Sequence, residues 1–334
     1  MISRKRIIYS KEFCGEIQLT DFEIKTDEIS EELDENEILC EALYLGIDAG
    51  LRSQAQFYPT GITMISGQIA KVIASKNTDF PKGSIVYGKF GWQSHTKVQP
   101  NAANKTFCYI LPDFGEHSLS LGLGCLGITG NAAYFGLELC ELKSGDTIVV
   151  SGAAGGVGNH VGQIAKIKGC RVVGLAGSAE KCEWLIKEVG FDAAIDYKSQ
   201  SFKALLREAT PDGVNCYFDN VGGEISNKVI QRMVQLGRIA VCGSLSVSNI
   251  KVGDEIPKMA ELNRNFTFHQ LKMEGFAVWR WSDRWMEGIG QNLSWLNEGK
   301  LKSFETVLEG LEKAPEALID LMKGKYRGRV VVKV

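Results

Sequence analysis

The chain has 334 residues, 44% hydrophobic and 23% charged, enough for one large or two medium domains with a substantial core. A formal net charge of −2 leaves neither a basic footprint for nucleic acid nor a polybasic patch for a membrane surface. The N-terminal run Met1-Ile-Ser-Arg-Lys-Arg-Ile-Ile-Tyr9 lacks the apolar core of a secretion signal, and the acids Glu12 and Glu16 argue against a transit peptide, so a cytoplasmic protein is expected.

Residues 1–124 read as strand-rich with short turns. Glu37-Ile-Leu-Cys-Glu-Ala-Leu-Tyr-Leu45 and Gly67-Gln-Ile-Ala-Lys-Val-Ile-Ala74 predict strands of an irregular, mainly antiparallel domain. Pro81-Lys-Gly-Ser84 predicts a turn before the strand Ile85-Val-Tyr87. The longest apolar stretch, 119–139, is interrupted by glycines, Asn131 and Glu138, so it is not expected to span a membrane. From about residue 125 helices (132–140, 179–189, 202–209, 226–236) alternate with strands (148–150, 172–175, 193–195, 216–219, 238–242). Such alternation predicts a Rossmann-type, doubly wound parallel sheet with helices on both faces.

Within that alternation the apolar run Thr147-Ile-Val-Val150 enters Ser151-Gly-Ala-Ala-Gly-Gly-Val-Gly158, followed by a helical run to Lys168 and the strand Arg171-Val-Val-Gly-Leu175. Strand, glycine turn, helix and strand form the unit that binds a dinucleotide. Gly155 is expected to take the tight turn, Gly156 to admit the pyrophosphate, and Gly158 to let helix and sheet close together. The N–H groups and positive dipole at the helix start then favour the anion. At the end of the next strand an NAD enzyme carries an acid for the ribose 2′-hydroxyl. Here Ala176-Gly-Ser-Ala-Glu-Lys181 offers Ser178 and Lys181 instead, which suit a 2′-phosphate and favour NADP(H). Glu180 is the competing reading, although an acid in a first helical turn is favourable with the dipole on its own account.

The polar region 247–267 predicts a loop over a cleft, and beyond about residue 301 the alternation ends. Phe304-Glu-Thr-Val-Leu308 and Gly328-Arg-Val-Val-Val-Lys-Val334 read as strands returning to the first domain. The expected organisation is a cofactor domain at 125–302 inserted into a discontinuous substrate domain, 1–124 and 303–334, with the ligand cleft between them. Nine cysteines without a C-x-x-C pair read as reduced and mostly buried, and the histidines His95, His117, His160 and His269 have no zinc spacing, so no metal is expected.

Several motifs converge on one family: Gly67-Gln-Ile-Ala-Lys-Val72, Ala133-Tyr-Phe-Gly136, Ala153-Ala-Gly-Gly-Val-Gly158 with Gly162-Gln-Ile-Ala-Lys166, Phe218-Asp-Asn-Val-Gly-Gly223, Gly237-Arg-Ile-Ala-Val-Cys-Gly243, and Met273-Glu274 before Arg280-Trp281. Over essentially its full length the chain resembles the zinc-free prostaglandin reductase branch of the medium-chain dehydrogenase/reductase superfamily, whose members are also described as leukotriene B4 12-hydroxydehydrogenases and alkenal/one oxidoreductases. The resemblance implies a GroES-like first domain and a homodimer formed by pairing edge strands of two cofactor domains. It also implies NADPH-dependent reduction of the double bond of α,β-unsaturated ketones and aldehydes, with 15-oxo-prostaglandins among the candidate substrates. Carried over residue by residue, Ala154, Gly155, Gly156 and Val157 would line the pyrophosphate, and Lys181 and Tyr197 would contact the 2′-phosphate beside Ser178. Asn220, Cys242, Gly243, Ser244, Leu245, Ser246 and Ser248 would lie along the nicotinamide side. Phe276, Ala277 and Val278 would close over it with backbone contacts, and Tyr326 stands where the family has an asparagine that touches the cofactor.

The chain departs from the family around the substrate end. Gly50, Ser248 and Phe268 replace tyrosines, and the charged run 251–264 replaces a proline-rich loop, which puts prostaglandin specificity in doubt. The expected chemistry is hydride transfer to the β-carbon, charge building on the carbonyl oxygen as an enolate, and protonation at the α-carbon. The donor to the enolate is open: the cofactor ribose, Tyr58, Ser248 and His269 are candidates, and no catalytic residue is assigned. Arg52 reads either as an attractor for a carboxylate-bearing lipid or as a structural hydrogen bonder, and Trp92 either as a substrate platform or as the filler of a strand corner. The alternatives to enone reduction are quinone reduction and a non-catalytic, NADPH-binding interaction protein.

Overall fold

The computed structural model describes residues 1–100, 107–250, 255 and 262–334. Contacts divide the chain into two units, Met1–Leu123 with Glu305–Tyr326 and Val330–Val334, and Gly124–Phe304 with Arg327–Arg329.

The first unit is built on β1 (Ile2–Tyr9), β2 (Phe22–Ile29), β3 (Ile38–Ile47), the short helix α1 (Leu51–Gln54), β4 (Ile62–Thr63), β5 (Gln68–Ser75), β6 (Ile85–Gly88), β7 (His95–Val98) and β8 (Cys108–Ile110). β1 pairs antiparallel with β2 and β4, and β3 pairs antiparallel with β5 and β7. The β3–β5 register shifts twice, which makes this sheet irregular. Ile7, Tyr9, Leu45, Trp92, Leu318 and Val332 meet in its core. Trp92 is fully buried and donates its indole N–H to Gly46 O at 3.2 Å, so it fills a strand corner and offers no surface to a substrate. Arg52 is equally committed. It is 1% exposed, donates to Phe13 O and Gly15 O at 3.0 and 3.2 Å, and lies over the Phe13 ring. That settles its role as structural within this unit.

The second unit opens with α2 (Ile128–Gly136) and continues through β9 (Thr147–Ser151), α3 (Gly156–Ile167), β10 (Arg171–Ala176), α4 (Ala179–Trp184), β11 (Ala193–Asp196), α5 (Phe202–Ala209), β12 (Val214–Asp219), α6 (Gly223–Ile230), β13 (Met233–Val241), α7 (Asn263–His269), β14 (Lys272–Gly275) and α8 (Trp285–Asn297). Among the described residues its sheet runs β11-β10-β9-β12-β13-β14, every pairing parallel. Counted from β9 this is the 3-2-1-4-5-6 order of the doubly wound dinucleotide fold, with the reversal between β9 and β12. The chain then returns to the first unit through β15 (Glu305–Glu309), α9 (Ala314–Met322) and β16 (Arg329–Lys333), which pairs antiparallel with β3.

Some boundaries differ from the sequence expectation. The second helix begins at Ile128 instead of Ala132, because Gly127 caps it and Gly130 sits against Cys125 O, where a Cβ would lie at 1.8 Å. The helix expected over 226–236 ends at Ile230, and Met233 already belongs to β13. Of the region expected to be a loop at 247–267, residues 251–254 and 256–261 lie outside the described residues, as does most of the charged run 251–264, while Asn263–His269 is helical. No helix among the described residues is long and apolar enough to cross a membrane.

Candidate cofactor and active site

Because the strands of the second sheet are parallel, the loops after β9, β10, β12, β13 and β14 emerge along one edge, the position where open α/β sheets bind ligands. β9 leads into Gly152, whose φ of +60° sets the turn, and Gly155 N donates to Gly152 O at 3.0 Å. Gly155 then caps α3 in an extended conformation without a side chain to occupy the N–H groups of the first helical turn. Gly158 closes this turn from inside: a Cβ there would lie 2.4 Å from Gly152 O and 2.7 Å from Ala153 Cα. A Cβ on Gly156 would instead rest in ordinary contact with Thr129 Cγ2 at 3.4 Å and Arg329 Cα at 3.6 Å. The residues fit a pyrophosphate: orphan N–H donors and no side-chain competitor.

Buried polar side chains on α3 hold this turn. Asn159 Nδ2 donates to Gly155 O at 2.7 Å and His160 Nδ1 to Gly156 O at 2.5 Å. Gln163 bridges Asn159 and the backbone of Lys302. Burial pushes the His160 imidazole down to about 4, only partly offset by its bond to Gly156 O. The neutral ring therefore stabilises the fold fully above the unfolded histidine value of about 6.5, and this contribution is lost as pH falls toward 4, because the unfolded chain takes the proton first. The stability advantage of the wild type over His160→Gln should shrink by about 2 kcal/mol between pH 7 and pH 4.5 in urea unfolding. An advantage unchanged over that range would show that the ring is not held neutral.

At the end of β10, Ser178 caps α4 and its side chain accepts from Lys181 N at 3.3 Å. Tyr197, just beyond β11, places its hydroxyl beside Gly177, where a Cβ would come within 2.9 Å of it. The Lys181 ammonium is pushed down by burial first and then by Lys198, is raised by Glu180, and is lowered again by Arg327.

The loops after β12 and β13 interlock. Asn220 N donates to Ser151 Oγ at 2.9 Å and Asn220 Nδ2 to Ser151 O at 2.7 Å. Gly243 lies so close that a Cβ would be 2.8 Å from Asn220 O, and Ser246 N reaches Val221 O. Cys242 N and Gly243 N both donate to Asp219 O, which brings the segment Cys242, Gly243, Ser244, Leu245 and Ser246 alongside Asn220. Beneath them Asp219 is 3% exposed and accepts from Ser151 Oγ, Tyr217 OH, Ser226 Oγ, Val221 N and Gly222 N. Burial and Asp219 raise the Tyr217 phenol well above its ordinary value, so it remains a donor. Burial, aided by Asp219, pushes the Cys242 thiol up to about 12, away from thiolate chemistry. After β14, Phe276 N donates to Val241 O while its ring packs on Phe218 and Trp281, leaving Ala277 and Val278 next in line along the same edge.

Other expected residues stand apart. Tyr326 packs on the core of the first unit and lines a small cavity with Leu308, Glu309, Lys313 and Glu316, its phenol raised by burial and by Asp320. Ser248 is half-buried and donates back to Leu245 O at 2.8 Å. Phe268 and His269 end α7, just before β14. They line an open groove with Pro211, Asp212, Met233 and Val234, residues that precede or begin β12 and β13, and so sit at the opposite sheet edge from Asn220. His269 thus ends a helix and does not stand on the expected strand. Sequence reasoning missed Asn159, His160 and Gln163 as supports of the turn, and it missed Arg327 and Lys198 near Lys181. Buried polar residues on an otherwise apolar helix were the available signal for the first three.

The family description "Zinc-binding dehydrogenase" matches residues 156–293, and "N-terminal domain of oxidoreductase" matches residues 5–106. Bovine prostaglandin reductase 1 is 43% identical over 337 positions, covering all of both chains. The tobacco 2-alkenal reductase (NADP(+)-dependent) is 34% identical over 345 positions, covering all of this chain and 98% of its own. Among solved structures, CurA in complex with NADPH from Vibrio vulnificus superposes with a TM-score of 0.91 at 32% identity, covering 99% of each chain. The zinc implied by the first description does not fit here: among the described residues no group of three or more His, Cys, Asp or Glu is placed to hold a metal. With full-length identity of this order and this fold, the chain belongs to the zinc-free prostaglandin reductase branch of the medium-chain dehydrogenase/reductase superfamily.

Proposed function

We propose that this protein is an NADPH-dependent reductase of the carbon–carbon double bond in α,β-unsaturated ketones and aldehydes, with lipid-derived enones and enals as the substrate class. The observation that carries the reading is one sheet edge that holds a glycine turn without a side-chain cap and, at the next strand ends, Ser178, Lys181 and Tyr197, in a family whose members are named prostaglandin and 2-alkenal reductases. In this reading Ala154, Gly155, Gly156 and Val157 hold the pyrophosphate through backbone N–H groups. Ser178, Lys181 and Tyr197 hold the 2′-phosphate, a group that Asp or Glu at the strand end would repel. Asn220 and the segment 242–246, fixed through Ser151 and Asp219, flank the nicotinamide, and the backbone of Phe276, Ala277 and Val278 covers it. Bound NADPH supplies the hydride that the substrate takes at its β-carbon. The second unit is the cofactor domain and the first, with its returning C-terminal strands, the substrate domain.

Ser248 is turned into its own loop, and no side chain is assigned as the catalytic donor. Quinone reduction and NADPH binding without turnover are the competing outcomes. NADPH oxidation with a medium-chain enone, alongside a quinone panel, separates them: preferential turnover of the enone supports the reading, and turnover of quinones alone overturns it. We further propose a homodimer in the cytoplasm, formed by a second copy adding to β14, the edge strand of the second sheet.

A further inference from the structure

The segment 327–329 belongs by its contacts to the second unit, although the strand it begins returns to the first. Its backbone is fastened to the glycine turn: Gly328 N donates to Ala154 O at 2.8 Å, and Gly328 bridges Gly155. Gly328 has a φ of +70°, and a Cβ there would lie 2.1 Å from Phe304 O, so this crossing point tolerates only glycine. The fixed crossing sends the neighbouring side chains to different places. Tyr326 enters the core of the first unit, while Arg327 reaches over α4, its guanidinium 5.7 Å from the Trp184 ring and 3.5 Å from the Glu180 carboxylate.

Near Glu180 lies the Lys181 ammonium, which the charges of Lys198 and Arg327 both push down. Glu180, 78% exposed on its side chain, offers Arg327 a single, solvent-screened charge. A phosphomonoester carries up to two and accepts several donors at once. Resting on the reading of Ser178, Lys181 and Tyr197 as the 2′-phosphate site, we propose that Arg327 is a further specificity-determining residue. Its guanidinium leaves Glu180 to bind the 2′-phosphate of NADPH, so that the C-terminal crossing segment helps to discriminate NADPH from NADH.

The test is fluorescence titration of the full chain with NADPH and with NADH, for the wild type, Arg327→Gln, Arg327→Lys and Lys181→Ala. Arg327→Gln should raise the NADPH Kd about tenfold, the scale of one charge-assisted hydrogen bond. It should leave the NADH Kd unchanged, and Arg327→Lys should restore most of the NADPH affinity. Equal weakening of both cofactors would assign Arg327 to holding the fold and overturn the proposal. An unchanged NADPH Kd in Arg327→Gln, with Lys181→Ala still weakened, would overturn it while leaving the underlying site intact. If neither variant weakens NADPH, the 2′-phosphate site itself is misplaced, and the proposal falls with it.

Discussion

Asp219→Ala is expected to cost about 3–5 kcal/mol of folding stability, the range for removing one partner from a buried charged network. The carboxylate accepts from Ser151 Oγ at 3.0 Å, Tyr217 OH at 2.9 Å, Ser226 Oγ at 2.5 Å, Val221 N at 3.0 Å and Gly222 N at 2.8 Å. Alanine leaves all of these donors facing a buried space that water must enter or the loop must fill. The side chain is 3% exposed, so solvent cannot replace it without local rearrangement. The damage should reach the cofactor too. Ser151 Oγ, oriented by Asp219, is the acceptor for Asn220 N, and the same serine's carbonyl holds the Asn220 amide. Urea unfolding and NADPH titration of the variant should therefore fail together. A stability loss below about 1 kcal/mol, the worth of one ordinary hydrogen bond, would mean that the loop satisfies its donors elsewhere.

The second large effect is expected at Gly158. A methyl there meets backbone on one side only, Gly152 O at 2.4 Å and Ala153 Cα at 2.7 Å, and backbone cannot rotate away as a side chain would. Gly158→Ala should therefore lever α3 from β9, costing about 2–3 kcal/mol as overpacking does, and weakening NADPH at least tenfold through the displaced first turn. Gly156→Ala gives the contrast. Its methyl finds Thr129 Cγ2 at 3.4 Å and Arg329 Cα at 3.6 Å, ordinary contact distances. Stability should hold or rise by a few tenths of a kcal/mol, since alanine reduces the freedom of the unfolded chain, and the NADPH Kd should change little because the methyl packs on Thr129 and Arg329. Measuring both variants by thermal unfolding and by NADPH titration separates Gly158, where a methyl collides with backbone, from Gly156, where it does not. Equal effects of the two on stability would contradict that distinction.

Much of the second unit was legible because its signals are local. An apolar run of strand length, a glycine cluster and a helical run need no tertiary information, and they locate β9, the turn and α3 to within a few residues. The harder elements are those where distant packing decides. Leu236 takes a φ of +60° inside β13, and the chain leaves α6 six residues before it, because Val214 pairs with Met233 and draws that segment into the sheet. No spacing of Ile230, Met233 and Val234 reveals this, since they fit a helical stripe as well. α7 is similar: polar composition suggests a loop, yet Leu262 and Phe266 pack into the core cluster beside β13.

The candidate site divides in the same way. Ser178 and Lys181 follow from the position of a strand end and the sign of a charge, and Tyr197 reaches the adjoining Gly177. Arg327 was invisible because its distance from the turn in sequence says nothing of the Gly328 crossing that fixes it there. The resemblance pointed to Tyr326, which packs against the core of the first unit, while its neighbour Arg327 reaches α4. Phe268 and His269 line a groove with residues that precede or begin β12 and β13, at the sheet edge opposite Asn220, a placement that only the packing of α7 decides.

Tracing the hydride tests the central claim most directly. With NADPH deuterated at the transferring position of the nicotinamide and a medium-chain α,β-unsaturated ketone, mass spectrometry and NMR of the product should find a saturated ketone carrying deuterium at the β-carbon. Deuterium at the carbonyl carbon of an allylic alcohol, or no product from a protein that binds NADPH normally, would contradict the account.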